Sequence, residues 1–92
     1  MINEAAVGRA VEFAYPSSLR NAGVDGSVEV WIFIDEEGVV QETWLPESSG
    51  HTQLDVAALA VAGIVEFEPA MSQGKDIPAW ISLPIIFKVG QR

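Results

Sequence analysis

Residue types that commonly carry chemistry are sparse in this chain. The single histidine, His51, comes after Ser48-Ser49-Gly50. A hydrolytic triad needs a nucleophile, a base and an orienting acid within mutual reach. Nothing in this spacing sets Ser48 or Ser49 beside the imidazole, and a solvent-facing loop histidine is the simpler reading. Asp35-Glu36-Glu37-Gly38 gathers carboxylates as a cation site would, but it lacks the alternating oxygen ligands and terminal bidentate Glu of a calcium loop. A polar hairpin turn accounts for it. Glu66 and Glu68 share one strand-like face near Asp76, which could mimic a catalytic carboxylate pair; charged solvent-side residues are the ordinary explanation. There is no Gly-rich phosphate loop or dinucleotide fingerprint. No cysteine is present, which excludes disulfides and thiolate metal sites. No requirement of an active site is met, so the expectation is a non-enzymatic domain with no cofactor and no metal.

The stretch that does ask for an explanation is Leu83-Pro84-Ile85-Ile86-Phe87-Lys88-Val89. Leu83, Ile85, Phe87 and Val89 alternate with Pro84, Ile86 and Lys88, the period of a strand with one face on a core. Pro84 has no N–H to give to a ladder, and Pro78 stands just upstream. A proline inside such a run implies an edge, a bulge or no strand at all. An edge strand protected by proline resists indiscriminate pairing. The same edge can receive an extended peptide by strand addition. Trp80, Ser82, Ile86 and Lys88 project to one side of this strand, and Trp80 is the foremost candidate contact, with packing against a helix as the alternative.

The rest of the chain supplies the elements that would position this edge. Residues 2–14 are weakly helical, interrupted by Gly8, and read as a frayed arm or an accessory helix packing Val7, Val11 and Phe13. In 15–23, Pro16 suits the first position of a short helix and Gly23 the left-handed cap beyond it, with Leu19 and Ala22 facing inward. Residues 26–35 form the clearest strand, with Val28, Val30, Ile32 and Ile34 on one face; Trp31 and Phe33 on the other imply that this side is partly covered too. Asp35–Gly38 is a hairpin turn, and the next strand, 39–45, alternates poorly enough to predict a bulge. Thr52 and Asp55 resemble a capping box. Leu54, Ala57, Ala58, Val61 and Val65 then form one helical face, which Pro69 and the alternation after Val65 bring to an end. Met71–Asp76 is a turn and 77–89 the last strand. The order helix-strand-strand-helix-strand predicts an α+β two-layer sandwich, a small three-stranded antiparallel sheet carrying two helices.

The 92 residues suffice for one domain, and 49% hydrophobic with 20% charged residues is a globular composition. Thirteen Asp and Glu against five Lys and Arg give a net charge of −8. That argues against nucleic acid and anionic lipid surfaces as partners. The longest weakly polar run, Leu54 to Val65, is broken by Asp55 and Gly63 and falls short of the ~20 apolar residues of a membrane span. The start shows no charged n-region, apolar h-region or cleavage site of a signal peptide.

Tyr15-Pro16, Leu19-Arg20, Gly26-x-Val28 with Ile32 and Ile34, and Gly38-x-Val40 occur in this order with Ser48-Ser49-Gly50 and Leu54-Asp55-x-Ala57-Ala58-Leu59. After them come Phe67-x-Pro69-Ala70, Gly74-Lys75 and Leu83-Pro84-Ile85-x-Phe87. Together these resemble the C-terminal domain of the TonB energy-transducer family, over about residues 15–89. Each piece is weak alone; the ordered set is specific. Two departures stand out: Val65 where the family usually has Trp, and Gly63 where it often has Arg or Lys. The resemblance implies a TonB C-terminal-like domain over 15–92, preceded by the arm 1–14. It implies a periplasmic location, within a parent chain anchored in the inner membrane by a proline-rich stalk. It also implies capture of the "TonB box" of outer-membrane transporters as an added strand, with transmission of force derived from the proton gradient. Missing parts of the parent would then contact inner-membrane proton-channel proteins. The box would pair with the last strand, beside the Tyr-Pro region. The residues so implicated are Ala14, Tyr15, Pro16, Trp80, Ser82, Pro84, Ile86 and Lys88. Two further roles fit such a domain. One is a periplasmic interaction or sensing module, for example fused to a membrane peptidase-sensor; the other is a structural homodimer paired through its last strand.

Overall fold

A computed structural model describes residues 2–89, and at its centre lies the alternating stretch of residues 26–34. Val28, Val30, Ile32 and Ile34 are all fully buried along β1 (Gly26–Ile34), each contributing about 1.5–3 kcal/mol by leaving water. The described residues add helices α1 (Glu4–Ala14), α2 (Ser17–Asn21) and α3 (Thr52–Ala62). The remaining strands are β2 (Val40–Trp44), β3 (Ala70–Ser72), β4 (Lys75–Ile77) and β5 (Ala79–Phe87). β1 is the middle strand of an antiparallel sheet ordered β2-β1-β5. The helices α1 and α3 pack on one face of it, so the architecture is the expected α+β two-layer sandwich, with α1 as a third helix and β3–β4 as an extra hairpin.

The core is built where the two layers meet. Leu54, Ala58, Val61 and Ala62 of α3 are buried against the sheet with Ile85 and Phe87 of β5. The alanines hold the helix close to the strands, and Gly26 completes the approach: a Cβ there would sit 2.6 Å from Leu54 Cδ1. Val7 of α1 joins the same core, whereas Phe13 is 94% exposed; α1 is an accessory helix whose inward stripe is Val7, Ala10, Val11 and Ala14. Ala22 is likewise exposed rather than inward, because α2 ends at Asn21. Gly23 does cap it: with φ +74° its N–H bonds to the Arg20 carbonyl at 3.0 Å, and the Val24 N–H reaches the Leu19 carbonyl at 2.9 Å. These are the paired bonds of a Schellman motif.

Two local expectations are corrected. Asp55 does not cap α3; His51 occupies the N-cap without a side-chain bond. The Asp55 carboxylate is instead buried and takes the Ser48 hydroxyl and, at 2.8 Å, the Ser49 N–H. These donors hold its pKa below the usual value, the Ser48 hydroxyl foremost and the Ser49 N–H next, with burial opposing them. The helix also stops at Ala62, ahead of Val65 and Pro69. Residues 64–66, just past its end, are held by the N-terminal segment. Asn3 receives the Glu66 N–H and donates to the Ile64 carbonyl, each at 2.9 Å, and the Ile2 N–H bonds to the Glu66 carbonyl at 2.7 Å.

The β1–β2 hairpin arises from Asp35. Its carboxylate accepts the N–H groups of Glu37 and Val39 at 2.8 and 3.0 Å and the Gln41 amide at 2.9 Å, bonds that lower its pKa, that of Val39 most. Gly38, at φ +81°, passes so close to the Phe67 carbonyl that a Cβ would lie 2.1 Å from its oxygen. The expected irregularity is present as a register shift between Phe33 and Ile34. The turn in Met71–Asp76 joins β3 to β4 through Gln73 and Gly74, both at positive φ, the two-residue loop suited to strand twist. Pro78 then separates β4 from β5.

Candidate functional site

β5 is nine residues long and pairs with β1 without a break, from Ala79 opposite Ile34 to Phe87 opposite Gly26. Pro84 faces Glu29 in this ladder. In an antiparallel pair, residues alternate between bonding the neighbour and pointing their N–H and C=O away from it. Pro84, lacking an N–H, takes an outward position at no loss to the ladder. The Val89 N–H agrees with this alternation: it turns toward β1 and meets Asp25 Oδ1 at 2.6 Å. The backbone groups of Trp80, Ser82, Pro84 and Ile86 therefore point to the free side, and the one donor missing from that row is that of Pro84. Proline answers here as an edge residue.

Side chains keep the same period. Ile81, Leu83, Ile85 and Phe87 face the helices, Ile85 and Phe87 buried among them. Trp80, Ser82, Pro84 and Ile86 stand on the opposite face and are exposed. That face is not covered by any described element. Trp31 and Phe33 are half-buried there by neighbours in the sheet, Phe33 against Trp80 at 5.2 Å between ring centroids, and not by a second layer. Trp80 thus packs on an aromatic neighbour rather than on a helix.

At the other end of β5 the edge meets α1. A groove of about 460 Å³ runs between Ala5, Gly8, Arg9 and Glu12 on the helix and Ile86 of β5 with Lys88 just past its end, with Tyr15 in its wall. The structure brings Tyr15, Ile86 and Lys88 together here, while Trp80 and Ser82 stand farther along the same strand. Tyr15 is mostly a packing residue. It is buried, meets Phe87 edge-on at 5.3 Å and donates its hydroxyl to the Val24 carbonyl. Burial raises its pKa, the Asp25 carboxylate adds to this, and the Arg20 guanidinium opposes both. Arg20 lies over the Tyr15 ring at 5.0 Å and donates to the Glu12 carbonyl at 2.6 Å, tying the C-terminal turn of α1 to α2. Ala14 is half-buried against the core, and Pro16 is the N-cap of α2. Sequence reasoning did not reach the helix side of the groove; Gly8, the residue that interrupts the helical pattern, was the one sign of it.

The other candidate clusters separate. The Ser49 hydroxyl bonds to the His51 backbone, and Ser48 to Asp55; neither serine has a bond to the imidazole. No group of three His, Cys, Asp or Glu among the described residues is arranged to hold a metal ion, and no described helix is long and apolar enough to cross a membrane.

Comparison with known proteins agrees with this fold. The family model of the C-terminal region of the Gram-negative bacterial TonB protein matches residues 11–89. Protein TonB of Vibrio cholerae is 33% identical over 85 residues, 92% of this chain and 35% of that protein. Protein tonB2 of Pseudomonas aeruginosa is 32% identical over 75 residues, 82% of this chain and 28% of that protein. The chain thus spans about a third of the length of these relatives. The solution NMR structure of the Pseudomonas aeruginosa TonB C-terminal domain superposes with a TM-score of 0.66 at 26% identity, over 85% of this chain and 79% of that one.

Proposed function

Because the chain belongs to the TonB C-terminal domain family, we propose that β5 receives the box peptide of an outer-membrane transporter as an added strand, in the periplasm. The domain would then pass on force supplied by an inner-membrane, proton-driven parent. It is an interaction module, not an enzyme. The observation that carries this reading is the free side of β5: a regular nine-residue edge, open at Trp80, Ser82 and Ile86 and leading into the groove beside α1.

Strand addition suits pulling. Each backbone bond nets only about 0.5–1.5 kcal/mol, so resistance comes from loading several together. Main-chain bonds accept many sequences, and alternate side chains supply the selection. Ala14, Tyr15 and Pro16 act in this scheme by fixing α1 against the end of β5, while Trp80, Ser82, Pro84, Ile86 and Lys88 face the peptide.

The test is an amide NMR titration with peptides carrying transporter box sequences and a scrambled control. Shifts confined to residues 79–89 and the Tyr15-Pro16 neighbourhood, absent with the scramble, are the expected result. A folded, monomeric domain that gives no response at millimolar peptide rejects box capture and leaves a sensing module with another partner. A stable dimer whose β5 amides ignore every peptide means instead that the edge is occupied by a second copy.

A further inference from the structure

The open face of the sheet carries a feature that edge pairing alone does not use. The chain has three tryptophans, and Trp31, Trp44 and Trp80 come from three strands to line one apolar cleft of about 360 Å³. Register puts them there. Trp31 stands opposite Trp44 on one side and Ser82 on the other, and Trp80 lies two pairs along, on the same face, opposite Phe33. Trp44 and Trp80 remain 57% and 47% exposed.

The rim of this cleft is acidic. Glu42 stands opposite Phe33. Glu29 stands opposite Pro84 and accepts the Ser82 hydroxyl at 2.8 Å. No lysine or arginine occupies an open-face position of the β2-β1-β5 ladders. An anionic occupant would be repelled, and a purely apolar one would leave the carboxylates unanswered. Indole faces bordered by carboxylates match a cation.

We propose that this cleft receives the cationic side chain, arginine or lysine, of a peptide strand docked on β5, at the peptide position directly opposite Ser82. The inference rests on the docking reading above and adds a specificity to it. A strand added to β5 lies about 4.8 Å away, and its alternate side chains share the open face. Along the row through Ser82 the order becomes peptide residue, Ser82, Trp31, Trp44. Ser82 is the small member of that row, flanked on β5 by Trp80 and Pro84. A long stem crosses it and sets its charged head above Trp31, between Trp80 and Glu29; a short side chain stops over Ser82. Arginine is favoured over lysine because its planar guanidinium stacks on an aromatic face.

The test uses the domain with a series of box-type peptides, each carrying arginine or norleucine at one position in turn. The Trp80, Ser82 and Ile86 amides report docking, and the indole N–H signals report the cleft. One position is expected to bind roughly 3- to 30-fold more tightly with arginine than with norleucine, together with indole shifts. That ratio should collapse below about twofold in Trp31→Leu, or in Trp44→Leu should the first variant not fold. Edge shifts with equal affinity for arginine and norleucine at every position overturn the cation site and leave docking intact. A ratio that survives loss of the indoles assigns the effect to Glu29 alone and also overturns it. No edge shift with any peptide overturns both readings.

Discussion

The sheet ends in two edge strands that pair with no further described strand, β2 and β5, and they are built differently. β2 is five residues long, its register with β1 slips between Phe33 and Ile34, and its hairpin is pinned by Asp35 and by the contact of Gly38 with Phe67. Shortness and a bulge are the usual means of blunting an edge. β5 is nine residues long, regular over its whole length, and defended at one point only, by Pro84. The difference teaches that edge protection is graded: one border is short and bulged, and the other, on the docking reading proposed above, is narrowed to partners that tolerate a single missing donor.

The sharpest way to break this contrast is a pair of prolines on adjacent residues of β5. Ile85→Pro removes a ladder bond to β1 and a buried side chain, and should cost more than about 4 kcal/mol; thermal unfolding would show little or no folded protein. Ile86→Pro removes only an outward N–H. It should leave stability within about 1 kcal/mol of the parent while weakening box-peptide binding about tenfold or more. Equal damage from both would show that the assigned alternation of β5 is wrong.

On the short, bulged edge, Gly38→Ala combines a positive φ with a backbone contact that cannot give way. A loss of about 2–4 kcal/mol is expected, lowering the melting temperature by at least about 10 °C. Peptide binding at β5, measured below that transition, should be retained, because the damage lies across the sheet.

Asp55→Asn affects neither edge directly, and should cost about 1–2 kcal/mol by weakening the bonds that hold the Ser48-Ser49 loop. Its pH signature is distinctive. The folded-state pKa lies below the ordinary 3.8, so the stabilisation is complete above that value and is lost as pH falls through the folded pKa. Acid unfolding monitored by circular dichroism should therefore lose part of its steepness below about pH 4 in the variant. Asp35, shifted in the same direction, supplies part of the remainder.

The smallest effect is the most direct probe of the comparison. Pro84→Ala restores the missing outward donor and should change stability by less than about 1 kcal/mol. Peptide affinity should rise a few-fold, and self-association, measured by sedimentation, should rise with it. Unchanged affinity and unchanged self-association would mean that Pro84 is not the gate on this edge.

Much of this was legible from local chemistry. Alternation in 26–35 marks the clearest strand, Asp35 and Gly38 the hairpin, Gly23 the helix cap, and Pro84 an edge among its few alternatives, because each signal is spent within a few residues of where it is read. Signals with two local readings were less reliable. Asp55 stands where a capping box predicts a helix-start role, yet its carboxylate turned to the preceding loop, since Ser48 and Ser49 offered it more donors. Phe13 counts as inward only in the accessory-helix reading of 2–14, and the packing of α1 leaves it in solvent. The hairpin of β3 and β4 shows in the sequence only as the turn Met71–Asp76, with Ile77 assigned to the last strand, because its strands are too short to show a period.

The sequence by itself determined the main helices and strands of the sandwich, the family and the presence of a proline that a central strand would not tolerate. These depend on backbone propensity, on side-chain period and on the missing N–H, all of which are local properties. The tertiary structure alone decided what stands beside the strand that carries Pro84. The groove with α1 joins Gly8 and Arg9 to Ile86 and Lys88, and the cleft joins Trp31, Trp44 and Trp80. Which residues share a face across strands depends on register, and register is set by the packing of the whole buried face against α1 and α3.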